Sequence, residues 1–461
     1  MAKLRAGVGR ADITPSPGTP QGGWGAQTHQ RGDGADMPFY ATALALTDDH
    51  DVILIVEADA IGFDLEWTNK IIDAIQGQTR ISRDRIRFSC SHTHSGPNTF
   101  RLATVSEGLE MILSYLQSLP ERIAGAAWQA QKNLKQVRLA AGTGSCDINV
   151  NRRYCTAEGI RVSGRNWEGP VDPTVRVVRF DDLEETPLAV IVHYACHPTI
   201  MAWENRWFTP DYPGVMRRVV EQQLGGICLF FQGAAGDIGP RVGYTGDLRV
   251  YQRMGAILGL EASKVALNLN TLPRRERFLG VLQSGAPLAQ YADEAQEPES
   301  AVLSARHRNI SLPLRKLRPL IVAESEAVKS REELMRARLE GSVEEIRAAT
   351  ARFTQARWYA DMVRQYAGKC DVDWEIQCIR VGPVVFVSSR GEPFSETSKQ
   401  IVEGSPFRHT LFSGYSNGAF GYIPTKKAFE EGGYEIDASP FASGAAEMLA
   451  YESLRMLGEI A

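Results

Sequence analysis

The sequence predicts an α/β fold: a layered, mixed-sheet body interrupted by a helical hairpin. Three observations predict it. Strand-like and helix-like patterns alternate through the first 270 residues. The strands finish in polar loops with helices between them, as layered α/β proteins do. Strand patterns then resume beyond a charge-rich, helix-periodic stretch at 317–367.

"YATALALTD" (40–48) and "DVILIVEAD" (51–59) are apolar runs of strand formers joined hairpin-fashion by Asp-Asp-His. "WTNKIIDAIQGQ" is an amphipathic helix expected to stop near Gly77. "RIRFSCSH" is the next strand. "LEMILSYLQSLPERIAGAAWQAQKNL" predicts helices interrupted at Pro120. "TVRVVRFD" (174–181) alternates, and "PLAVIVHYACHP" is a buried strand. "YPGVMRRVVEQQLGG" is a helix with a glycine stop, and "ICLFFQGAAGD" a buried strand running into a glycine-rich turn. Residues 317–367 read as a helical hairpin broken at Gly341: a packed excursion, a lid, or a homo-oligomer contact. Because "WEIQCIRVGPVVFVSSRGEP" returns to strands, one domain over 1–461 with an insertion is expected, not tandem domains.

Bulk composition excludes several classes. A hydrophobic share of 43% and a charged share of 23% are those of a globular protein. A net charge of −4 argues against nucleic acid as the partner. No apolar run reaches transmembrane length. "MAKLRAGVGRADITPSPG" lacks the apolar core of a signal peptide, so a cytoplasmic location is expected, or a signal already removed. The seven cysteines (90, 146, 155, 196, 228, 370, 378) are odd in number and contain no C-x-x-C, which predicts buried thiols in a reduced chain.

The chemistry concentrates at strand ends. In "SCSHTHSGPN", His92 and His94 are one residue apart; on a continuing strand they would face opposite ways. Where the strand dissolves, one ring can bind a metal while its neighbour lines the pocket. In "HYACHP", His193 lies inside the apolar run as a core histidine. His197 lies at the mouth as a ligand candidate. In "SSRGEPFSE", Gly391 lets the backbone bend and Glu392 is the first carboxylate after the strand; two histidines and a carboxylate make a zinc-site pattern. "QGAAGDIGPR" lacks the Lys-Ser/Thr of a phosphate loop, and reads as a tight pocket wall. Its Asp237 could orient a histidine, hold a structural cation, or cap the turn. Tyr415, Tyr422 and Tyr434 fall in a glycine-dense stretch.

Taken in order, "GVGRADITP", "SHTHSGP", "NVNRR", "HPT.M", "GAAGD", "GEPF" and "GYIPT…GGYE" resemble the neutral/alkaline (non-lysosomal) ceramidase family. The resemblance implies that family's zinc-dependent α/β catalytic domain, which hydrolyses the amide of N-acylsphingosine. It implies His92, His197 and Glu392 as zinc ligands, with Tyr422 on the metal. It places His94, Tyr434 and Arg152 toward the substrate: His94 moving a proton, the other two holding a developing oxyanion or a substrate polar group. Four features depart from the family. The family's immunoglobulin-like C-terminal domain is not expected before Ala461, the family is usually exported whereas no signal is seen here, Glu-Ile follows Tyr434 where the family has Glu-Gly, and "PFSE" stands after Glu392 where the family has Thr-Thr. The expected substrate is a lipid or small-molecule amide. The alternatives are a soluble substrate such as a glycan or small N-acyl compound, or a non-catalytic binding protein.

Overall fold

The computed structural model describes residues 4–100, 102–296, 302–418 and 421–461. Met1 to Lys3 of the N-terminal stretch, and Ala419 and Phe420 of the tyrosine-bearing one, lie outside the described residues. Three sheets form the frame. The first orders strands Ile86–Cys90, Val52–Ala58, Tyr40–Thr47, Arg5–Asp12 and Lys135–Gln136. The second orders Ile227–Gln232, Pro187–Tyr194, Thr174–Asp181 and Arg138–Ser145. The third orders Leu303–Pro313, Asp371–Val381, Val384–Ser389 and His409–Ser413. The sheets are mixed, as the predicted fold class requires, with one parallel pair in each: Val52–Ala58 with Ile86–Cys90, Pro187–Tyr194 with Ile227–Gln232, and Val384–Ser389 with His409–Ser413.

The strands are apolar on both faces because both faces are covered. Leu44, Ile53, Phe180, Ile191, Phe231, Phe386 and Leu411 pack the three sheets against one another in a central core. The opposite faces bury helices. Leu65–Thr79 and Leu109–Lys132 cover the first sheet, Asp211–Leu224 and Leu248–Leu267 the second, and Ser395–Gly404 and Ala445–Ile460 the third. Main-chain bridges Ser89–Ser416 and Gly233–Ser413 tie the sheets together near their strand ends.

The hairpin of Tyr40–Thr47 with Val52–Ala58 is as predicted. One boundary differs. Leu109–Lys132 is one helix that runs through Pro120. Ile112, Leu116, Leu119, Ile123 and Ala127 form a continuous buried stripe across the proline, and burial of that face outweighs one lost backbone hydrogen bond. The helix Leu65–Thr79 stops near Gly77, as expected, where Arg80 turns left-handed (φ 65°).

The predicted helical hairpin is Leu320–Glu340 and Val343–Tyr366. Ser342 starts the second helix in a reciprocal cap with Glu345. Ala323, Ala327, Ala360 and Val363 make the seam between the two helices. An exposed two-stranded ribbon, Arg274–Gln283 with Pro287–Ala295, had no counterpart in the sequence reading. Among the described residues no helix is long and apolar enough to cross a membrane.

Candidate metal centre

In open α/β sheets, sites form beyond the carboxyl ends of parallel strands. Here three such ends converge. His92 follows Ile86–Cys90, His197 follows Pro187–Tyr194, and Glu392 follows Val384–Ser389.

His92 is the residue at which the strand's alternation breaks. Its φ is +67°, in the left-handed region that non-glycine residues enter at a cost of about 1–2 kcal/mol. That reversal brings His92 and His94 to one side, with Nε2 atoms 3.4 Å apart. The Nε2 of His197 lies 3.1 Å from each of them.

Each ring is held from behind by a main-chain carbonyl: His92 Nδ1 by Ile61 at 2.6 Å, His94 Nδ1 by Gly23 at 3.0 Å, and His197 Nδ1 by Ala235 at 3.1 Å. A carbonyl can only accept, so each Nδ1 carries a proton and each ring turns its Nε2 inward, the tautomer whose Nε2 lone pair can bind a metal. Protonation does not relieve the crowding at His197, because burial drives its pKa well below the ordinary value, with Arg152 and the other two rings adding to the effect.

Glu392 adds another acceptor. Its Oε2 stands 3.6 Å from His92 Nε2 and 3.9 Å from His197 Nε2, buried and without a hydrogen-bond partner. Three inward lone pairs and an orphaned carboxylate oxygen form a donor set that fits a divalent cation with a preference for nitrogen and oxygen, zinc being the prime example. His92 and His197 are buried, whereas His94 is half-buried and faces the adjoining cavity.

The glycines around Glu392 are placed by backbone approach. Gly391 has φ +72°, and a Cβ on Gly236 would fall 2.5 Å from the Glu392 carbonyl oxygen. The glycine-rich turn is therefore the close-packed wall expected from sequence. Asp237 meets no histidine in this arrangement. Its carboxylate accepts from Ser395 N at 2.7 Å, Ser395 Oγ at 2.8 Å and Asn151 Nδ2 at 3.3 Å, so it pins the chain just after Glu392. Burial pushes Asp237 up to about 6, against the pull of the Ser395 bonds.

Glu392 pairs in register with Tyr422 in a short parallel ladder. The Tyr422 ring lies 5.3 Å from the Arg152 guanidinium and 5.7 Å from the Tyr434 ring. Burial pushes the Tyr422 phenol well up, with Arg152 opposing. Arg152 is oriented by Glu435, whose Oε1 accepts from its Nε at 3.0 Å, while Glu435 Oε2 accepts from Arg153 at 2.8 Å. His193 stays outside the cluster, buried, with Nε2 bonded to the Phe412 carbonyl at 2.7 Å. The seven cysteines are free thiols, and burial raises Cys90 and Cys196 well above their ordinary pKa.

Tyr415, one of the three tyrosines noted in the glycine-dense stretch, has φ +55°, lays its ring 4.3 Å from that of His92 and buries its hydroxyl without a partner. One residue at the centre was not singled out from sequence. Glu435 stands next to Tyr434 in "GGYEID". An acid beside a candidate tyrosine was the one local signal available, and its pairing with Arg152 is a contact across 283 positions.

A cavity of about 290 Å³ opens over the cluster, lined in part by His92, His94, Arg152, His197, Glu392, Tyr422 and Tyr434. The class is thus an α/β protein with a histidine–carboxylate centre, built where strand ends from separate sheets meet beneath a pocket. Residues 4–247 match the family described as neutral/alkaline non-lysosomal ceramidase, N-terminal, and the chain belongs to that family.

Among its relatives, the neutral ceramidase of Drosophila melanogaster is 28% identical over 233 residues, which is 48% of this chain and 32% of that protein. Neutral ceramidase A of Dictyostelium discoideum is 25% identical over 184 residues, 37% of this chain and 26% of that one. The chain therefore spans a third or less of the length of these curated relatives. The crystal structure of the neutral ceramidase from Pseudomonas aeruginosa superposes with a TM-score of 0.68 at 18% identity, covering 100% of this chain and 75% of that one. The fold is shared over the whole chain.

Proposed function

We propose that this protein is a zinc-dependent hydrolase of N-acyl amide bonds. The observation that carries the reading is the inward set of three Nε2 atoms with the partnerless Glu392 oxygen beside them. His92, His197 and Glu392 would hold the ion, with Tyr422 at longer range. A zinc ion in such a set lowers the pKa of a bound water toward neutrality and polarises a carbonyl.

The chain's own residues supply the rest. Ile61, Gly23 and Ala235 fix the ring tautomers. His94, the half-buried ring at the cavity, moves a proton at Nε2 between the attacking water and the leaving amine. Arg152, held by Glu435, and Tyr434 at the cavity wall donate to the oxygen on which charge develops. The neutral ceramidases among its relatives support an amide substrate of the N-acylsphingosine kind.

The test is metal content per chain by elemental mass spectrometry, paired with hydrolysis of short-chain ceramide, soluble N-acyl amines and glycosides. About one zinc per chain with cleavage of an amide is expected. A chain that takes up no zinc on reconstitution, or a zinc-loaded chain that cleaves only glycosides, overturns the proposal.

A further inference from the structure

The helical insertion commits one face of its second helix to the cavity, which Ala351, Thr354, Gln355 and Trp358 help to line. The two-stranded ribbon, Arg274–Gln283 with Pro287–Ala295, commits neither face to anything. All of its strand residues except Gly280 and Ala292 are exposed. It is tied to the body at its base, where Arg274 pairs with Glu185.

Cross-strand pairing sorts the ribbon's side chains. Glu276 lies opposite Asp293, Phe278 opposite Tyr291, and Val281 opposite Ala289, and all six share one face. On the other face Arg277 pairs with Glu294. The carboxylates of Glu276 and Asp293 have no ion-pair partner among the described residues, and Arg274, the cation nearest them on their face, is taken by Glu185. Like charges directly opposite each other destabilise a ribbon unless a cation answers them. Beyond the two acids stand exposed Phe278, Val281 and Tyr291, an apolar patch of the kind that marks an interaction surface.

A complementary surface lies on the helix Leu248–Leu267. Arg253, Ile257, Leu260 and Leu267 follow the i, i+4, i+7, i+14 spacing of one stripe, and all four are exposed. Arg253 has no carboxylate partner among the described residues. Both surfaces carry charge at one end and apolar side chains beyond it, with opposite signs of charge. Their lengths agree: Glu276 to Leu282 spans about 20 Å of strand and Arg253 to Leu267 about 21 Å of helix. The open faces of the ribbon show that it does not lie on the helix of its own chain.

The position of the ribbon argues against a lipid surface as its occupant. It rises beside Glu185, in the turn before the strand Pro187–Tyr194, whereas His197 follows the far end of that strand. A membrane held by the ribbon would lie at the opposite end of the sheet from the cavity.

We infer that a second copy of this chain docks here. The acidic and apolar face of each ribbon lies along the Arg253–Leu267 stripe of the other copy, in a reciprocal two-fold pair. Glu276 and Asp293 meet Arg253, and Phe278 and Tyr291 pack on Ile257 and Leu260.

Sedimentation equilibrium of the full chain over a concentration series tests this, on wild type, Phe278→Ser, Arg253→Glu, and Arg253→Glu combined with Glu276→Arg and Asp293→Arg. The expected wild type is a dimer. Phe278→Ser should raise its Kd by about 30-fold, the worth of an aromatic anchor. Arg253→Glu should raise it by at least about tenfold, and the charge-swapped triple variant should return to within about threefold of wild type. Every altered side chain is exposed, and Arg253 and Phe278 stand on different elements, so a folding defect in one leaves the other to decide.

A wild type still monomeric at about 50 μM overturns the inference. So does a dimer whose Kd is unmoved by Phe278→Ser or by Arg253→Glu, and so does a triple variant no tighter than Arg253→Glu. Flotation with phosphatidylcholine–ceramide vesicles checks the other occupant: a monomer that floats with the vesicles, and stops floating as Phe278→Ser, would give the ribbon to lipid and refute the dimer.

Discussion

Glu435→Gln is the most informative single change. Arg152, Arg153 and Glu435 are all buried, and one carboxylate accepts from both guanidinium groups. Glutamine preserves the shape and one acceptor oxygen but removes the charge. Arg153 keeps Glu431 Oε2 at 3.3 Å and the Gly432 carbonyl at 2.8 Å. No other carboxylate pairs with Arg152 among the described residues. Breaking a buried pair by removing one partner costs about 3–5 kcal/mol, and the partial compensation at Arg153 points to the lower end, about 3 kcal/mol.

Urea unfolding followed by tryptophan fluorescence reads the stability. Elemental mass spectrometry should show unchanged metal, because the histidines stand on other elements. kcat/KM should fall by about 10²-fold as Arg152 loses its orientation. The double variant Glu435→Gln/Arg152→Met should recover stability without recovering activity, since the uncompensated charge is gone. A Glu435→Gln protein within 0.5 kcal/mol of wild type, by the ~1 kcal/mol scale of ordinary substitutions, would refute this account. A double variant with restored turnover would remove Arg152 from the mechanism.

Four further outcomes follow from the geometry. His197→Ala should abolish metal binding, whereas His94→Ala should retain metal and lose at least about 10²-fold in kcat; loss of metal in both would make His94 a ligand. Glu392→Gln should weaken zinc binding yet leave the metal-free protein at least as stable as wild type, because the buried oxygen has no partner to lose; chelator titration with thermal unfolding reads both. Gly23→Ala should destabilise by about 2–4 kcal/mol, since φ is +119° and the new Cβ would fall 2.7 Å from the His94 carbonyl oxygen; a wild-type melting temperature would refute it.

The fourth is a pH effect at Asp211. Burial pushes this acid up to about 7, against bonds from the Met201 and Tyr212 amides. The folded chain therefore holds a proton that the unfolded chain releases, and stability from this group falls by about 4 kcal/mol as pH rises from about 4 through about 7. Asp211→Asn should flatten that part of the slope in urea midpoints at pH 5 and 8; parallel slopes in the two proteins would contradict it.

What could be read from sequence follows the range of the interactions involved. Strand and helix patterns depend on near neighbours, so the strand ends bearing His92, His197 and Glu392, the core position of His193 and the hairpin at 317–367 were all visible locally. The interruption at Pro120 was misplaced because burial of a helix face, a tertiary effect, outweighed the local signal. The left-handed turn at His92 could not be seen either: alternation along the strand argued against a shared site, and only the backbone reversal brings both rings together.

The sequence by itself determined the donor chemistry: imidazoles and a carboxylate, each placed just past an apolar strand. The tertiary structure decided that strands from three sheets end at one point, that carbonyls at Gly23, Ile61 and Ala235 turn every Nε2 inward, and that Glu435 holds Arg152. It also decided that the second helix of the insertion lies over the site. Those are contacts between residues tens to hundreds of positions apart, set by how apolar sheet faces pack on one another, and no local pattern encodes which strand ends will meet.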